Sequence, residues 1–388
     1  MTKVIFLEEL QLQCSKRIII INGYILPPFG VIILITNMLV IIVYLKQWKR
    51  NQSEIRKVSS ILYITIATSN ILSSVPVSIV YFYLFTLGYV TKYIPYHLCW
   101  TWHFLLQYIY IPHMASIWAV TILSVQRCMV IRYPFSSPIE WTVRKTLIFV
   151  ACLWIIPLLL QISSIFDTTI SPYEIYRNVT TRNRTINETD MITCILHYAE
   201  WKGDNPETLD AVEFAFKLVA YILIPFVLIV YSDFSLMLYL RNARQVRKRV
   251  LEEAIKINER NILEKRPNQR GSITSQTENS DSRYQTLLVV IFSSIVFIVY
   301  IPYAILLVLY IYVIVTQNYD YIKWFNIGPI KYFIDFTVHL SHPNLFILSC
   351  LLSKRFRRLM KKLFKSSQKP ENLKRRHSSS ERTVFQEM

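Results

Sequence analysis

The chain has 388 residues, of which 53% are hydrophobic, and a formal net charge of +18. That is too apolar for an ordinary soluble domain and too basic for a chain wholly immersed in lipid, so the two characters must be segregated along the sequence. Six cysteines and six glycines are too few to organise a disulfide scaffold or a glycine-rich nucleotide-binding fold.

Residues 1–17 carry Glu8, Glu9, Lys16 and Arg17 without an apolar core, so no cleavable signal peptide is expected and the first span serves as its own insertion signal. Seven apolar stretches follow, near 24–45, 58–86, 97–131, 145–166, 211–240, 284–314 and 326–352. Each is long enough to cross a hydrocarbon layer of ~30 Å as a helix. Pro76, Pro112, Pro157, Pro225, Pro302 and Pro343 fall inside them and read as kinks, because neighbouring helices can satisfy the carbonyls that proline frees. The expected fold is all-α: a seven-transmembrane helix bundle over 24–352 with a short amphipathic eighth helix over 353–365 and a disordered tail over 366–388.

Basic residues set the orientation, since short cytoplasmic loops are rich in Lys and Arg. With the N terminus outside, the cytoplasmic segments 46–57, 241–283 and 353–388 hold 28 of the 43 basic residues, and the outer segments hold 10. The loop at 167–210 agrees, with glycosylation sequons at Asn178, Asn183 and Asn187. Asn51-Gln-Ser53 also matches, but lies on the expected cytoplasmic side and reads as chance. Cys99 and Cys194 both face the oxidising side, and a disulfide between them is expected, against two unrelated thiols. Cys14 has no evident partner, and Cys128, Cys152 and Cys350 read as packing residues.

The same loop carries eight acidic residues against four basic ones, an anionic vestibule that would steer in a cationic ligand. Beneath it Trp100, Trp102, His103, Tyr108 and Tyr110 offer aromatic faces to an amidated peptide or an arginine, or form an ordinary interfacial belt. Lys217 either snorkels to the surface or faces the ligand. In the cytoplasmic loop 241–283, RNARQVRKR suggests a helical extension of the fifth span, and GSITSQTENSDS a flexible linker. Leu352, Phe356, Leu359, Met360 and Leu363 recur at helical spacing among basic residues, the pattern of a helix lying on an anionic leaflet. Ser378, Ser379 and Ser380 beside basic residues offer a kinase target whose phosphates would recruit arrestin. Asp335, His339 and His342 share one helix face. Histidines so spaced can bind a metal, but a hydrogen-bonded network with Asn70, Ser116 and His113 is the expectation, with no metal and no cofactor.

The segment SVQRCMVIRYP, 124–134, resembles the Asp-Arg-Tyr signature of rhodopsin-like G-protein-coupled receptors. Asn37 in TNMLV, Trp154 with Pro157, Pro225, Pro302 and SHPNLF, 341–346, are similar to the family's markers in the other spans. IPHMASIWAVTILSVQR, 111–127, looks most like invertebrate neuropeptide receptors of the sex-peptide and myoinhibitory-peptide type, with FMRFamide and myosuppressin receptors nearby. The resemblance implies a receptor for an extracellular peptide or small molecule that activates heterotrimeric G proteins, with a chemosensory receptor of the same fold as the alternative. It places G-protein coupling on Gln126, Arg127, Cys128 and Arg132. The ligand contacts it suggests are Trp102, His103, Tyr108, Lys217 and Tyr300, and the core polar network is Asn37, Asn70, Ser116, Asp335, His339 and His342.

The chain departs from the pattern at several of these positions. Gln126 replaces an aspartate, Cys128 a tyrosine, Asn70 an aspartate, His342 an asparagine, Phe346 a tyrosine and Tyr300 a tryptophan. Without an acid at position 70 the sodium site that the resemblance would imply lacks its carboxylate. Cys99 also lies further from Arg127 than is usual, so an irregular outer turn or a shifted bridge is expected. Arg127 has at most a neutral hydrogen bond available from Gln126, so it should be easy to release. No paired catalytic carboxylates, Gly-x-Ser-x-Gly or His-Glu-x-x-His occur in the spans, so enzymatic activity is not expected. No internal repeat of the transporter kind is found, and nothing points to nucleic acid.

Overall fold

The computed structural model describes residues 20–50, 53–87, 96–133, 141–181, 184–203, 206–263, 274–316 and 327–367. Among the described residues six helical stretches are long and apolar enough to cross a membrane: Gly23–Arg50, Glu54–Tyr81, Tyr96–Arg132, Val143–Phe166, Thr208–Asn242 and Tyr284–Thr316. They fall on α1 (Leu26–Arg50), α2 (Glu54–Tyr81), α3 (Tyr96–Tyr108), α4 (Tyr110–Arg132) and α5 (Val143–Phe166), then α6 (Pro206–Lys217), α7 (Ile224–Leu263) and α8 (Thr274–Thr316), the last three of which run beyond them. The seventh span is split into α9 (Ile327–Ser341) and α10 (Asn344–Leu352), and α11 (Lys354–Ser367) follows it.

Three of the irregularities sit near a proline, which removes an N–H. The break between α3 and α4 falls at Ile109, three residues before Pro112. A π-helical stretch, Leu218–Leu223, precedes Pro225. The α9/α10 break falls at His342 and Pro343, and the His342 carbonyl there accepts from Asn37 Nδ2 at 3.5 Å and Asn70 Nδ2 at 3.4 Å. Neighbouring helices thus satisfy the backbone that the kink releases.

The bundle is apolar on its outer surface. Val31, Ile32 and Ile35 on α1, and Leu147, Ile148, Ile155 and Leu159 on α5, are exposed, as lipid-facing residues must be. By contrast α2 and α4 are central, and Ser59, Asn70, Ser73, Ser74, Ser116 and Ser124 are buried on them. Gly30 allows α1 close to α2, because a Cβ there would meet the Ser78 side chain.

Three expectations need correction. The outer loop 167–210 is largely an antiparallel hairpin of β1 (Thr168–Thr181) and β2 (Arg184–Tyr198), with register Thr168↔Tyr198 to Thr181↔Arg184, and α6 begins inside its far end. Its alternating Thr, Ile and Tyr suit extended backbone, a signal that the sequons obscured. The polar run read as a flexible linker is helical from Thr274 onward, because α8 continues well beyond the apolar span. The eighth helix runs to Ser367, past the expected 365, and does not simply float on lipid: Phe356 is fully buried, packed against Tyr44 and Phe346. Arg357 Nη1 donates to the carbonyls of Cys350 and Leu351 at 2.8 and 2.5 Å, capping the end of the seventh span as cations at helix C-termini do.

Candidate functional site

At the hairpin end of the bundle Cys99 and Cys194 form a disulfide. It ties α3 to β2, where Cys194 pairs in register with Pro172. After β2 the Lys202 ammonium is buried, 3.0 Å from Asp167 Oδ2 and also paired with Asp210. Burial by itself would depress Lys202, but the Asp210 and Asp167 carboxylates more than offset this and hold it above the usual lysine range. Burial pushes Asp167 up, against the pull of Lys202.

Lys217 forms an i,i+4 pair with Glu213, donates to Ser164 Oγ at 3.0 Å and lies 5.6 Å from the Tyr110 ring. Of the two readings left open for it, the structure places it inward rather than at the surface, engaged within the protein. Asp167, Asp210 and Glu213 have carboxylate oxygens within 4.8 Å of one another, but the two ammonium groups already counter their charge.

The expected ligand contacts lie at different depths among the described residues. His103 is buried, with Nε2 3.2 Å from the Ile165 carbonyl and 3.0 Å from Thr168 Oγ1. Tyr108 stacks on Phe104 at 6.2 Å, and the Trp102 side chain lies outside the described residues. Tyr300 sits deeper, its hydroxyl 2.5 Å from His113 Nε2. Asn183, the side chains of Asn178 and Asn187, Cys14 and the tail serines also lie outside the described residues, although the Asn178 and Asn187 backbones pair in the hairpin.

In mid-bundle the structure brings most of the expected polar residues together. Ser116 Oγ donates to Asn70 Oδ1 at 3.0 Å, and Asn70 Nδ2 donates to Asn37 Oδ1 at 3.3 Å. The His342 ring lies 5.9 Å from His113 and 5.6 Å from His339. His339 Nδ1 donates to the Asp335 carbonyl at 2.6 Å, so Asp335 joins through its backbone. A small cavity lined by Asn70, Ser116, Tyr300, Ser341 and His342 has room for about one water.

At the opposite end Arg127 is buried and Nη2 donates to Gln285 Oε1 on α8 at 3.3 Å. Tyr63 is a second hydrogen-bonding neighbour, and Nε is buried without a partner. Gln126, read as offering Arg127 at most a neutral hydrogen bond, turns elsewhere. It accepts from Ser59 Oγ at 3.1 Å and donates to the Ile55 carbonyl at 3.3 Å, because adjacent residues on a helix point in different directions. Cys128 packs on Leu236 and Val290, and Arg132 Nη1 donates to Tyr231 at 3.1 Å.

Sequence reasoning missed Gln285, Lys202 and Asp233. Asp233, on α7, accepts from Ser124 Oγ at 3.1 Å and Ser293 Oγ at 2.6 Å. An acid in the apolar run VLIVYSDFSLML was itself a readable signal, since ionisable residues inside a span mark function by default.

Compared with known protein families, residues 36–342 match the one described as the seven-transmembrane receptor, rhodopsin family. The matched stretch is well over half of the chain. No curated protein matches it.

Proposed function

Because the chain belongs to the rhodopsin family of seven-transmembrane receptors, whose members carry an extracellular signal to heterotrimeric G proteins, we propose that its ligand is a small amidated peptide received at the hairpin end. The hairpin end then faces outside and the Arg127 end faces the cytoplasm, as the 28 basic residues in the segments on that side favour. The observation that carries the signalling role is the setting of Arg127. It is a buried guanidinium at the end of the third span, held by the neutral Gln285 of the sixth, so outward movement of α8 frees it for a G protein.

The peptide reading is supported by the acid excess of 167–210 and by the aromatic residues around Lys217, namely Tyr110 and Phe214. Two of the eight acids are already committed to Lys202, which leaves the steering to the others. Kinases and arrestin act on Ser378, Ser379 and Ser380 in this reading, and glycans occupy Asn178, Asn183 and Asn187.

Cells expressing the chain, challenged with a panel of amidated peptides, should give a calcium or cyclic-AMP response to at least one. Silence to every peptide with surface expression established would favour a chemosensory receptor instead. Glycosidase treatment should lower the apparent mass of the wild type and leave a triple Asn→Gln variant unchanged.

A further inference from the structure

Asp233 places a carboxyl group inside an apolar junction of three spans. It is 9% exposed, and one turn along each helix Cys128 of α4, Leu236 of α7 and Val290 of α8 pack together. Among the described residues it forms no salt bridge. The ionisable groups that α4, α7 and α8 carry nearby are engaged elsewhere: Arg127 with Gln285, Arg132 with Tyr231, Tyr284 beneath Lys354, and Cys128 in packing. An isolated ionised carboxylate in such a place is costly, and neutralisation relieves the cost.

A count of hydrogens points the same way. Ser293 Oγ lies 2.6 Å from Asp233 Oδ2, 2.7 Å from the Val289 carbonyl oxygen and 3.1 Å from that of Val290, yet a serine hydroxyl has one hydrogen to give. With Asp233 ionised all three neighbours are acceptors. A hydrogen given to the carboxylate then leaves the 2.7 Å contact with Val289 between two bare oxygens. A proton on Oδ2 removes the conflict: the acid donates to Ser293 Oγ, and Ser293 donates to the carbonyl four residues back, a bond that serine often makes inside a helix. Ser124 Oγ, 3.1 Å away, donates to the acid's carbonyl oxygen Oδ1, and the Ser294 hydroxyl is also within reach of the carboxyl.

We propose that Asp233 is a proton-binding site through which the cytoplasmic proton concentration biases the bundle. The bound proton completes a hydrogen-bond chain from Asp233 through Ser293 to the Val289 carbonyl, which joins α7 to α8, while Ser124 ties the same carboxyl to α4. Parting of α7 from α8 breaks the chain and admits water from the Arg127 end, and the acid then gives up its proton. Protons therefore favour the closed bundle, and their loss favours the open one. The opening and the side that faces the cytoplasm rest on the receptor reading above, but the proton itself can be read without any G protein.

The test takes infrared spectra of the full-length receptor in lipid nanodiscs near neutral pH, as wild type minus Asp233→Asn. The difference should show the carbonyl stretch of a protonated carboxylic acid. The paired bands of a carboxylate in its place overturn the proposal. Ser293→Ala takes away the acid's acceptor, so against the wild type the same carbonyl band should move to higher frequency. That comparison decides alone should Asp233→Asn fail to fold, and an unmoved band overturns the proposal.

A second arm measures uptake of a non-hydrolysable GTP analogue by purified heterotrimeric G proteins as a function of pH. Release of one proton on opening raises ligand-independent exchange by up to about tenfold per pH unit. The wild type should therefore climb with pH relative to Asp233→Asn, which has no proton to release. Parallel pH profiles overturn the link between the proton and opening. Absence of uptake with every receptor, wild type included, counts against G-protein coupling and leaves the spectra to decide the proton.

Discussion

The two ends of the bundle bury charge in opposite ways. At the hairpin end Lys202 lies between Asp167 and Asp210, Lys217 against Glu213, and a disulfide joins α3 to β2. At the other end Arg127 rests on an amide and Asp233 on hydroxyls. Removing one member of a buried ion pair costs about 3–5 kcal/mol, whereas a hydrogen bond between a charged and a neutral group is worth about 1.5–3 kcal/mol. Charges matched with charges make a fixed frame. Charges held by neutral groups can change partners, which fits the signalling role proposed for that end.

The contrast can be broken most sharply at Arg127. Arg127→Ala should abolish ligand-driven G-protein activation and leave surface expression intact, measured by second-messenger assay and by antibody labelling of unpermeabilised cells; unchanged signalling would sink the transducing role. At the fixed end, Lys202→Met leaves two carboxylates facing each other and should cost about 3–5 kcal/mol, read as a lower unfolding midpoint and poorer surface expression. A near-neutral result would mean the frame does not depend on the ion pairs.

Smaller effects separate the two faces of α4. Gln285→Ala removes the resting partner of Arg127 and should raise ligand-independent nucleotide exchange about tenfold, equivalent to ~1.4 kcal/mol. Gln126→Ala should cost about 1 kcal/mol for each lost bond to α2 without raising basal exchange, since Gln126 does not touch the arginine's partner. If both variants raise basal exchange alike, the two glutamines are not distinct in role.

The smallest effect is with pH. Because the Lys202 pKa is raised in the folded state, its contribution is fully present below the usual lysine pKa. It is lost only as pH rises through the raised value. Unfolding midpoints of the wild type and Lys202→Met should therefore keep a constant gap near neutrality, and the gap should narrow only in strong alkali.

Much of the fold was legible in the sequence, because a membrane span is written as about 20 consecutive apolar residues that need no partner to be recognised. The ends of the spans were less so. The basic run after the fifth span reads as a helical extension and α7 reaches Leu263, but α8 starts at Thr274, in polar sequence where hydropathy gives no signal. The hairpin was hidden because strand pairing joins residues up to 30 apart, Thr168 to Tyr198.

At the candidate site, residue types were easier to read than partners. Asn37, Asn70 and Ser116 stood out as polar groups in apolar runs, and the structure links them. The partner of Arg127 was misjudged because Gln126 is its neighbour in sequence but not in direction, while Gln285 lies 158 residues away. The Glu213–Lys217 pair was open to view, since Glu preceding Lys by four residues is the favoured helical order.

The most direct measurement is G-protein nucleotide exchange driven by purified receptor in nanodiscs, comparing the wild type, Gln285→Ala and Arg127→Ala. If one end is a fixed frame and the other a releasable one, Gln285→Ala exceeds the wild type and Arg127→Ala falls to the receptor-free rate. Equal rates for all three receptors would contradict it.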